Sequence, residues 1–285
     1  MNDLVGARVV AVHAHPDDES ITTGGVLFDL ARRGAHVTVV TCTLGEQGEV
    51  IGETYQGLVA DAADQLGGFR IGELEQAMRE LGVYHRFLGF PGCWRDSGMM
   101  GDPSNDRRGA FLRSGDTAVQ QLREIFDELQ PHLILTYGPD GGYGHPDHIR
   151  AHEITHAAAT GQRILWAVHD TDAQRAGLED IRSIPEGWRF DELANAKADI
   201  TVHLDDAAYA AKAAAMRAHA TQLWLADGSV SKTNPHSAIA EAPTLVYCLS
   251  NLIAQPLMRD EHYQIAEAGP APVSDRSDVM SGLQW

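Results

Sequence analysis

The stretch RVVAVHAHPDDESITTGGVLFDLARRGAHVTVVTCT, Arg8 to Thr43, decides the fold. Arg8 to His13 is a short apolar run, the pattern of a buried strand. Ile21 to Arg33 reads as a helix, with Gly34 at its C-terminal end, where a left-handed residue is favoured. His36 to Thr43 is rich in Val and Thr, whose β-branched side chains suit a strand. Strand, helix and strand in this order make a βαβ unit and predict a parallel sheet.

The alternation continues outward. Helical segments are expected at about Tyr55 to Leu66 and Ile71 to Leu81, with a short strand at Arg86 to Leu88. Val119, Leu122, Ile125, Phe126 and Leu129 mark one face of a helix. Leu133 to Tyr137 reads as a buried strand, followed by the loop Gly138 to His148, a helix to about Ala159 and a strand at Ile164 to Val168. Beyond Asp170 the pattern weakens. A strand at Ile200 to Leu204, an Ala-rich helix capped by Asp205 or Asp206, and a loop at Val230 to Pro243 are expected. The expected fold class is therefore Rossmann-like α/β, a mostly parallel sheet flanked by helices, with a smaller C-terminal α/β portion. Residues 1–170 would form the metal-binding catalytic domain. Residues 171–285 would pack on it, with a mobile tail after about 269.

Composition narrows the function classes. The 285 residues are 44% hydrophobic and 22% charged, enough apolar content for a sizeable core. The formal net charge of −18 repels phosphate backbones and anionic lipids, which argues against nucleic acid or a membrane surface as partner. No segment reads as a secretory signal or a membrane span, so a cytoplasmic location is expected. Cys42, Cys93 and Cys248 are widely spaced and odd in number, and read as free thiols. Gly24-Gly25 follows a strand and precedes a helix but lacks the patterns of nucleotide-binding loops.

The chemistry sits in two clusters. His13-Ala14-His15-Pro16-Asp17-Asp18-Glu19 follows the first strand, and Tyr143-Gly144-His145-Pro146-Asp147-His148 follows the strand at Leu133. His-Pro-Asp thus occurs twice, each time in a loop leaving a strand. In open α/β sheets such loops converge at the carboxyl ends of the strands. Two His and one carboxylate make a catalytic zinc site with a position open for water. The metal lowers the pKa of bound water to about 7 and polarises a carbonyl. A further carboxylate could take the water's proton, and the adjacent Asp17 and Asp18 could divide these roles. Taken singly, Asp17 or Asp18 could merely cap a helix, and His145 or His148 could be polar loop residues. Capping does not explain His at both strand ends. Spacing alone does not choose His15 over His13, or His148 over His145. Nor does it exclude iron(II), which also uses two His and a carboxylate.

The paired motifs resemble the LmbE-like zinc deacetylase family, whose members hydrolyse N-acetyl groups on glucosamine-containing substrates. Thr41 to Glu46, Gly48 to Gly52, Gln65 to Leu74, Trp94 to Met99 and Gly141 to His148 carry the likeness further, with Ala218 to Gln222 and Glu261-His262-Tyr263 in support. These stretches are closest to the family's deacetylase branch in mycothiol biosynthesis. The resemblance implies one Zn²⁺ held by His15, Asp18 and His148, with Asp17 as general base. It implies His145 as the cation or acid beside the tetrahedral centre, oriented by Asp147, and Tyr143 polarising the acetyl carbonyl. It implies Arg70 and Asp96 on sugar hydroxyls, Met99 lining the pocket and Glu49 facing the substrate. The implied reaction is hydrolysis of N-acetylglucosaminyl-inositol, a small amino-sugar inositol, to glucosaminyl-inositol and acetate.

Three rivals remain. A mycothiol S-conjugate amidase would share the metal chemistry. Amidase relatives carry a Lys shortly after the metal motif, where this chain reads Ser20-Ile21-Thr22-Thr23. A metal-free carbohydrate-binding protein on the same scaffold would be separated by elemental analysis of the purified protein. A non-haem iron oxygenase would leave Asp17 and His145 without roles.

Overall fold

The computed structural model describes residues 3–191 and 196–285. Strand β1 (Arg8–His13) leads through α1 (Asp18–Thr22) and α2 (Gly24–Arg32) into β2 (His36–Thr41). Then come α3 (Leu66–Leu81), β3 (Tyr84–Phe87), α4 (Gly115–Leu129), β4 (Leu133–Tyr137), α5 (Pro146–Ala158) and β5 (Arg163–Val168). The remainder supplies α6 (Thr171–Glu179), β6 (Ile200–His203) and α7 (Asp206–Ala218). Three short strands follow, β7 (Trp224–Leu225), β8 (Val246–Cys248) and β9 (Gln255–Pro256), and then β10 (Asp260–Glu267).

The main sheet has the order β3-β2-β1-β4-β5-β10-β6. Its first five strands are parallel, and β10 runs antiparallel to both its neighbours. This is the expected mostly parallel sheet, with a small antiparallel β7-β8-β9 sheet beside it. β2 lies on one side of β1 and β4 on the other. The loops after His13 and Tyr137 therefore diverge and leave a crevice at the carboxyl ends, the ligand site of such sheets.

Alternate residues of β1 serve opposite faces, as strand geometry requires. Val9 and Ala11 join a core with Leu27, Leu30, Leu74, Leu81 and Met216, while Val10 and Val12 join one with Leu122, Phe126 and Ile154. Helices thus cover both faces. The region beyond residue 170 contributes to the same sheet through β6 and β10, and α7 packs on α2 and α3. Among the described residues no helix is long and apolar enough to cross a membrane.

Some elements differ from the sequence-based expectation. The helix expected from Ile21 to Arg33 is two helices broken at Thr23, the first beginning at Asp18. Gly25 explains its own identity: a Cβ there would meet Leu204 Cδ1 at 2.3 Å. Up to Leu66, where α3 begins, the span from Tyr55 holds only a 3₁₀ turn, Gln56–Leu58, because its side chains bury no continuous apolar face against the core. β10 carries His, Gln and Glu, which hid it from a search for apolar runs. The segment after 269 is tied to β5: the buried Arg163 guanidinium donates to the carbonyls of Ala268, Ala271, Val279 and Ser281.

Glu261, on β10, joins the two portions. Its carboxylate accepts from the N–H groups of Gly25 (2.8 Å) and Val26 (2.9 Å) at the start of α2, where an anion is favoured. It also accepts from Lys212 Nζ (2.6 Å) and Tyr263 Oη (3.0 Å). Both charges of the Lys212–Glu261 pair are buried. Lys212→Met leaves that carboxylate without its cation and is expected to cost about 3–5 kcal/mol. Denaturant unfolding measures the loss, and an unchanged midpoint would show that the pair adds nothing.

Candidate active site

Backbone geometry delivers the first cluster. β1 ends at His13, and the chain then turns so that the His15 N–H donates to Asp18 Oδ2 at 2.9 Å. The same oxygen accepts from Tyr137 Oη at 2.7 Å, and that hydroxyl accepts from the Ala14 N–H. Tyr137 ends β4, so it clamps the loop of one strand to its neighbour. The second cluster opens α5. His145 Nδ1 accepts from the Asp147 N–H at 3.2 Å, capping the helix, with Pro146 at its first position.

These turns bring two imidazole nitrogens and the two oxygens of one carboxylate together. His15 Nδ1 lies 3.2 Å from His148 Nε2 and 3.4 Å from Asp18 Oδ2, and His148 Nε2 lies 3.4 Å from Asp18 Oδ1. Atoms bound at about 2.0–2.1 Å to one tetrahedral ion stand about 3.3–3.4 Å apart. The outer nitrogens are also provided for. His148 Nδ1 faces the Gly141 carbonyl at 3.0 Å, and His15 Nε2 faces Asp147 Oδ2 at 3.4 Å and Asp96 Oδ1 at 3.5 Å. Protons held outward leave lone pairs aimed at the shared centre, an arrangement that orients metal-binding imidazoles. The three residues fit a divalent cation.

His145 approaches the same centre. Nitrogens of His15, His145 and His148 fall within 4.8 Å of one another, as do ligand atoms of His15, Asp96 and Asp147. Hydrogen bonding separates their roles. Since His145 Nδ1 accepts a hydrogen bond from the Asp147 N–H, the neutral ring carries its hydrogen on Nε2 and offers a donor there. Burial, then His15 and His148, push its pKa down to about 3, which favours the neutral ring. The Asp147 and Asp96 carboxylates are engaged elsewhere, Asp147 by the Ser97 N–H and Asp96 by those of Gln47 and Gly98. Asp147 thus meets His145 through its backbone and His15 through its side chain.

Asp17 and Asp18 are separated electrostatically. Burial opposes the Asp18 charge, yet His148 and His15 hold its carboxyl well below the usual range. Burial pushes Asp17 up to about 6, against the pull of Arg70. Arg70 Nη2 donates to Asp17 Oδ2 at 2.6 Å and to the Pro16 carbonyl, while Nη1 donates to the Gly45 carbonyl at 3.1 Å. Arg70, the residue expected on sugar hydroxyls, is buried and packs against Asp17. Tyr143 is 61% exposed with its ring edge-on to His148, and Met99 and Glu49 are also exposed. Asp96 is buried between its loop and the Glu46 loop, with its N–H donating to Glu46 Oε2.

The unforeseen participants are Tyr137, Glu19 and His219. Tyr137 at the end of an apolar strand was the available signal for the first. For the others it was the match at Ala218 to Gln222, which carries no spacing that points to Glu19. His13 points elsewhere: its Nε2 pairs with Thr23 Oγ1 at 3.1 Å.

Residues 10–159 match the family model described as PIG-L: GlcNAc-PI de-N-acetylase. The chain is 62% identical over 288 residues to the 1D-myo-inositol 2-acetamido-2-deoxy-alpha-D-glucopyranoside deacetylase of Corynebacterium glutamicum strain R, covering 100% of this chain and 99% of that protein. It is 63% identical over 297 residues to the deacetylase of the same name from Corynebacterium efficiens, covering 100% and 95%. Among solved structures, the N,N'-diacetylchitobiose deacetylase from Pyrococcus horikoshii shares the fold with a TM-score of 0.52 at 18% identity, over 75% of this chain and 70% of that one.

Proposed function

The chain belongs to the GlcNAc-PI de-N-acetylase (PIG-L) family, and from that premise we propose that it removes the N-acetyl group of an N-acetylglucosaminyl-inositol. It is a hydrolase of the acetyl amide, giving glucosaminyl-myo-inositol and acetate. The full-length identity to relatives bearing that activity in their name carries the substrate. The triangle of His15, Asp18 and His148 atoms carries the chemistry.

Zn²⁺ is the cation these donors suit, since two imidazoles and one carboxylate leave a tetrahedral corner free. When bound, it acidifies water and polarises the acetyl carbonyl. Asp17, in the loop between His15 and Asp18 but outside the triangle, takes the proton of the attacking water and delivers it to the nitrogen of the departing amine. His145 offers its Nε2–H to the oxygen or the amine that gains charge as the amide carbon becomes tetrahedral. Tyr143, in the same loop with its ring edge-on to His145 and His148, offers its hydroxyl to the acetyl carbonyl. Asp96, Met99 and Glu49 face the sugar and inositol between the loops Gly45 to Gly52 and Gly89 to Gly101. Arg70 serves as the charge partner of Asp17.

The direct test is a side-by-side assay of free amine release by zinc-loaded enzyme. N-acetylglucosaminyl-inositol is expected to give higher kcat/KM than free N-acetylglucosamine or a mycothiol S-conjugate. Faster cleavage of the conjugate would reassign the enzyme as an amidase.

A second expectation concerns how His148 is held. Gly141 has φ +65°, and a Cβ there would meet His148 Cβ at 2.8 Å and the Ile149 nitrogen at 3.0 Å. Gly141→Ala should displace both the ring and the carbonyl that orients it. Losses of about 10- to 100-fold in metal affinity follow when such outer contacts are removed. Competition with a chelating dye measures it, and unaltered affinity would show that the loop adapts.

A further inference from the structure

Asp17 has φ +118° and ψ −35°, a backbone conformation that a residue with a Cβ rarely adopts. Strained residues persist where their surroundings over-determine them. The carbonyl of Asp17 accepts from the N–H groups of Ser20 and Ile21, both at 3.0 Å. Its own N–H donates to Glu19 Oε2 at 3.0 Å. The other oxygen of Glu19 accepts from Ser20 Oγ (2.6 Å) and from His219 Nε2 (2.8 Å). Glu19 and His219 are both fully buried.

His219 lies just beyond α7, about two hundred positions along the chain, and its placement is itself braced. Its carbonyl accepts from the N–H groups of Gln222 and Leu223. Thr221 is held by Glu73 of α3, through its N–H at 2.8 Å and its hydroxyl at 2.7 Å. A line of hydrogen bonds therefore runs from the end of α7, through His219 and Glu19, to the backbone of Asp17. None of these side chains lies in the metal triangle.

We propose that His219 and Glu19 are positioning residues that pin the strained backbone of Asp17 and so aim its carboxylate at the attacking water. This rests on the reading of Asp17 as general base. Without the His219 donor, Glu19 can turn away from the Asp17 N–H, and the residue can relax toward ordinary backbone angles. The carboxylate then swings, while the ligand atoms keep their own anchors on Tyr137, Gly141 and Asp147.

The test compares His219→Phe, which keeps ring bulk without a donor, with His219→Gln, which keeps a donor near Nε2. Misplacing a reacting group by about 1 Å can cost about 10²-fold. Per metal-loaded site, His219→Phe should lower kcat by about 10- to 100-fold, with KM and zinc content unchanged, and His219→Gln should recover most of it. Hydrogen exchange at the Asp17 amide should quicken in His219→Phe and slow again in His219→Gln. In an Asp17→Asn background, His219→Phe should add little further loss. Wild-type kcat per site in His219→Phe, with Asp17→Asn slow, would overturn the positioning role and leave the base intact. Wild-type kcat in Asp17→Asn would instead remove the base. Should His219→Phe not fold, Glu19→Gln answers the same question. It keeps the shape but has one oxygen where two are used, so it should lower kcat at constant KM and zinc content. Unchanged kcat per site in that variant would overturn the proposal.

Discussion

Asp17→Asn is expected to keep its zinc and lose about 10²- to 10⁴-fold in kcat, the span typical of a lost general base. Asparagine has nearly the same shape as aspartate, and its amide oxygen can still accept from Arg70 Nη2, which lies 2.6 Å from Asp17 Oδ2 in the native protein. What it cannot do is take a proton from water. Because Asp17 is outside the triangle of His15, Asp18 and His148 atoms, metal content should not follow activity down. The pH profile supplies a second signature. Burial lifts the Asp17 carboxyl to about 6, and the protonated form cannot act as base. Wild-type kcat/KM should therefore fall as pH drops through that region. A bound cation favours the carboxylate and moves this limb toward lower pH. The apparent value belongs to the coupled group of Asp17, metal and water rather than to one residue. The limb should vanish in Asp17→Asn. Zinc content, kcat and the profile measured on one preparation decide the matter, and undiminished turnover would leave the reaction without a base.

The sheet was legible because its central parallel strands β1, β2 and β4 are buried on both faces. Val9 to Val12 and Leu133 to Leu135 read as continuous apolar runs for that reason, and Val37 to Val40 as a run broken only by the buried Thr38. β10 was hidden since Glu261, His262 and Gln264 interrupt its run. The structure gives Glu261 a buried partner at the start of α2, so its charge is compatible with a central strand. Short-range spacing could place His15 and His148 at two strand ends but could not choose among four histidines. The choice depends on where each ring's second nitrogen goes: to Gly141 for His148, to Asp147 and Asp96 for His15, to Thr23 for His13. Those partners are set by tertiary contacts, as is the burial of Arg70 behind Asp17. Glu19 stood in plain view as the last residue of the first motif. Its role depends on His219, brought to it by the packing of α7 on α2 and α3.

His148→Ala should abolish stable zinc binding and take activity with it. The substitution removes one of three protein donors and leaves His15 Nδ1 and Asp18 Oδ1 without their shared apex at 3.2 Å and 3.4 Å. Loss of an outer partner alone typically costs about 10- to 100-fold in metal affinity, so loss of the ligand itself should exceed that. His145→Ala is the discriminating comparison, since its nitrogens also lie within 4.8 Å of those of His15 and His148. The hydrogen bond from the Asp147 N–H occupies His145 Nδ1, which makes Nε2 a donor rather than a ligand. His145→Ala should therefore retain zinc while kcat falls by about 10²- to 10³-fold, the cost of losing one donor to the developing charge. His13→Gln, which keeps a donor toward Thr23, should retain both metal and rate. Metal analysis after gel filtration, paired with kcat on zinc-saturated samples, separates the three. If His145→Ala lost its zinc while His148→Ala kept it, the cation would sit one helical turn earlier than the triangle places it. His148 and His145 would then exchange the ligand and donor roles that their hydrogen bonds assign to them.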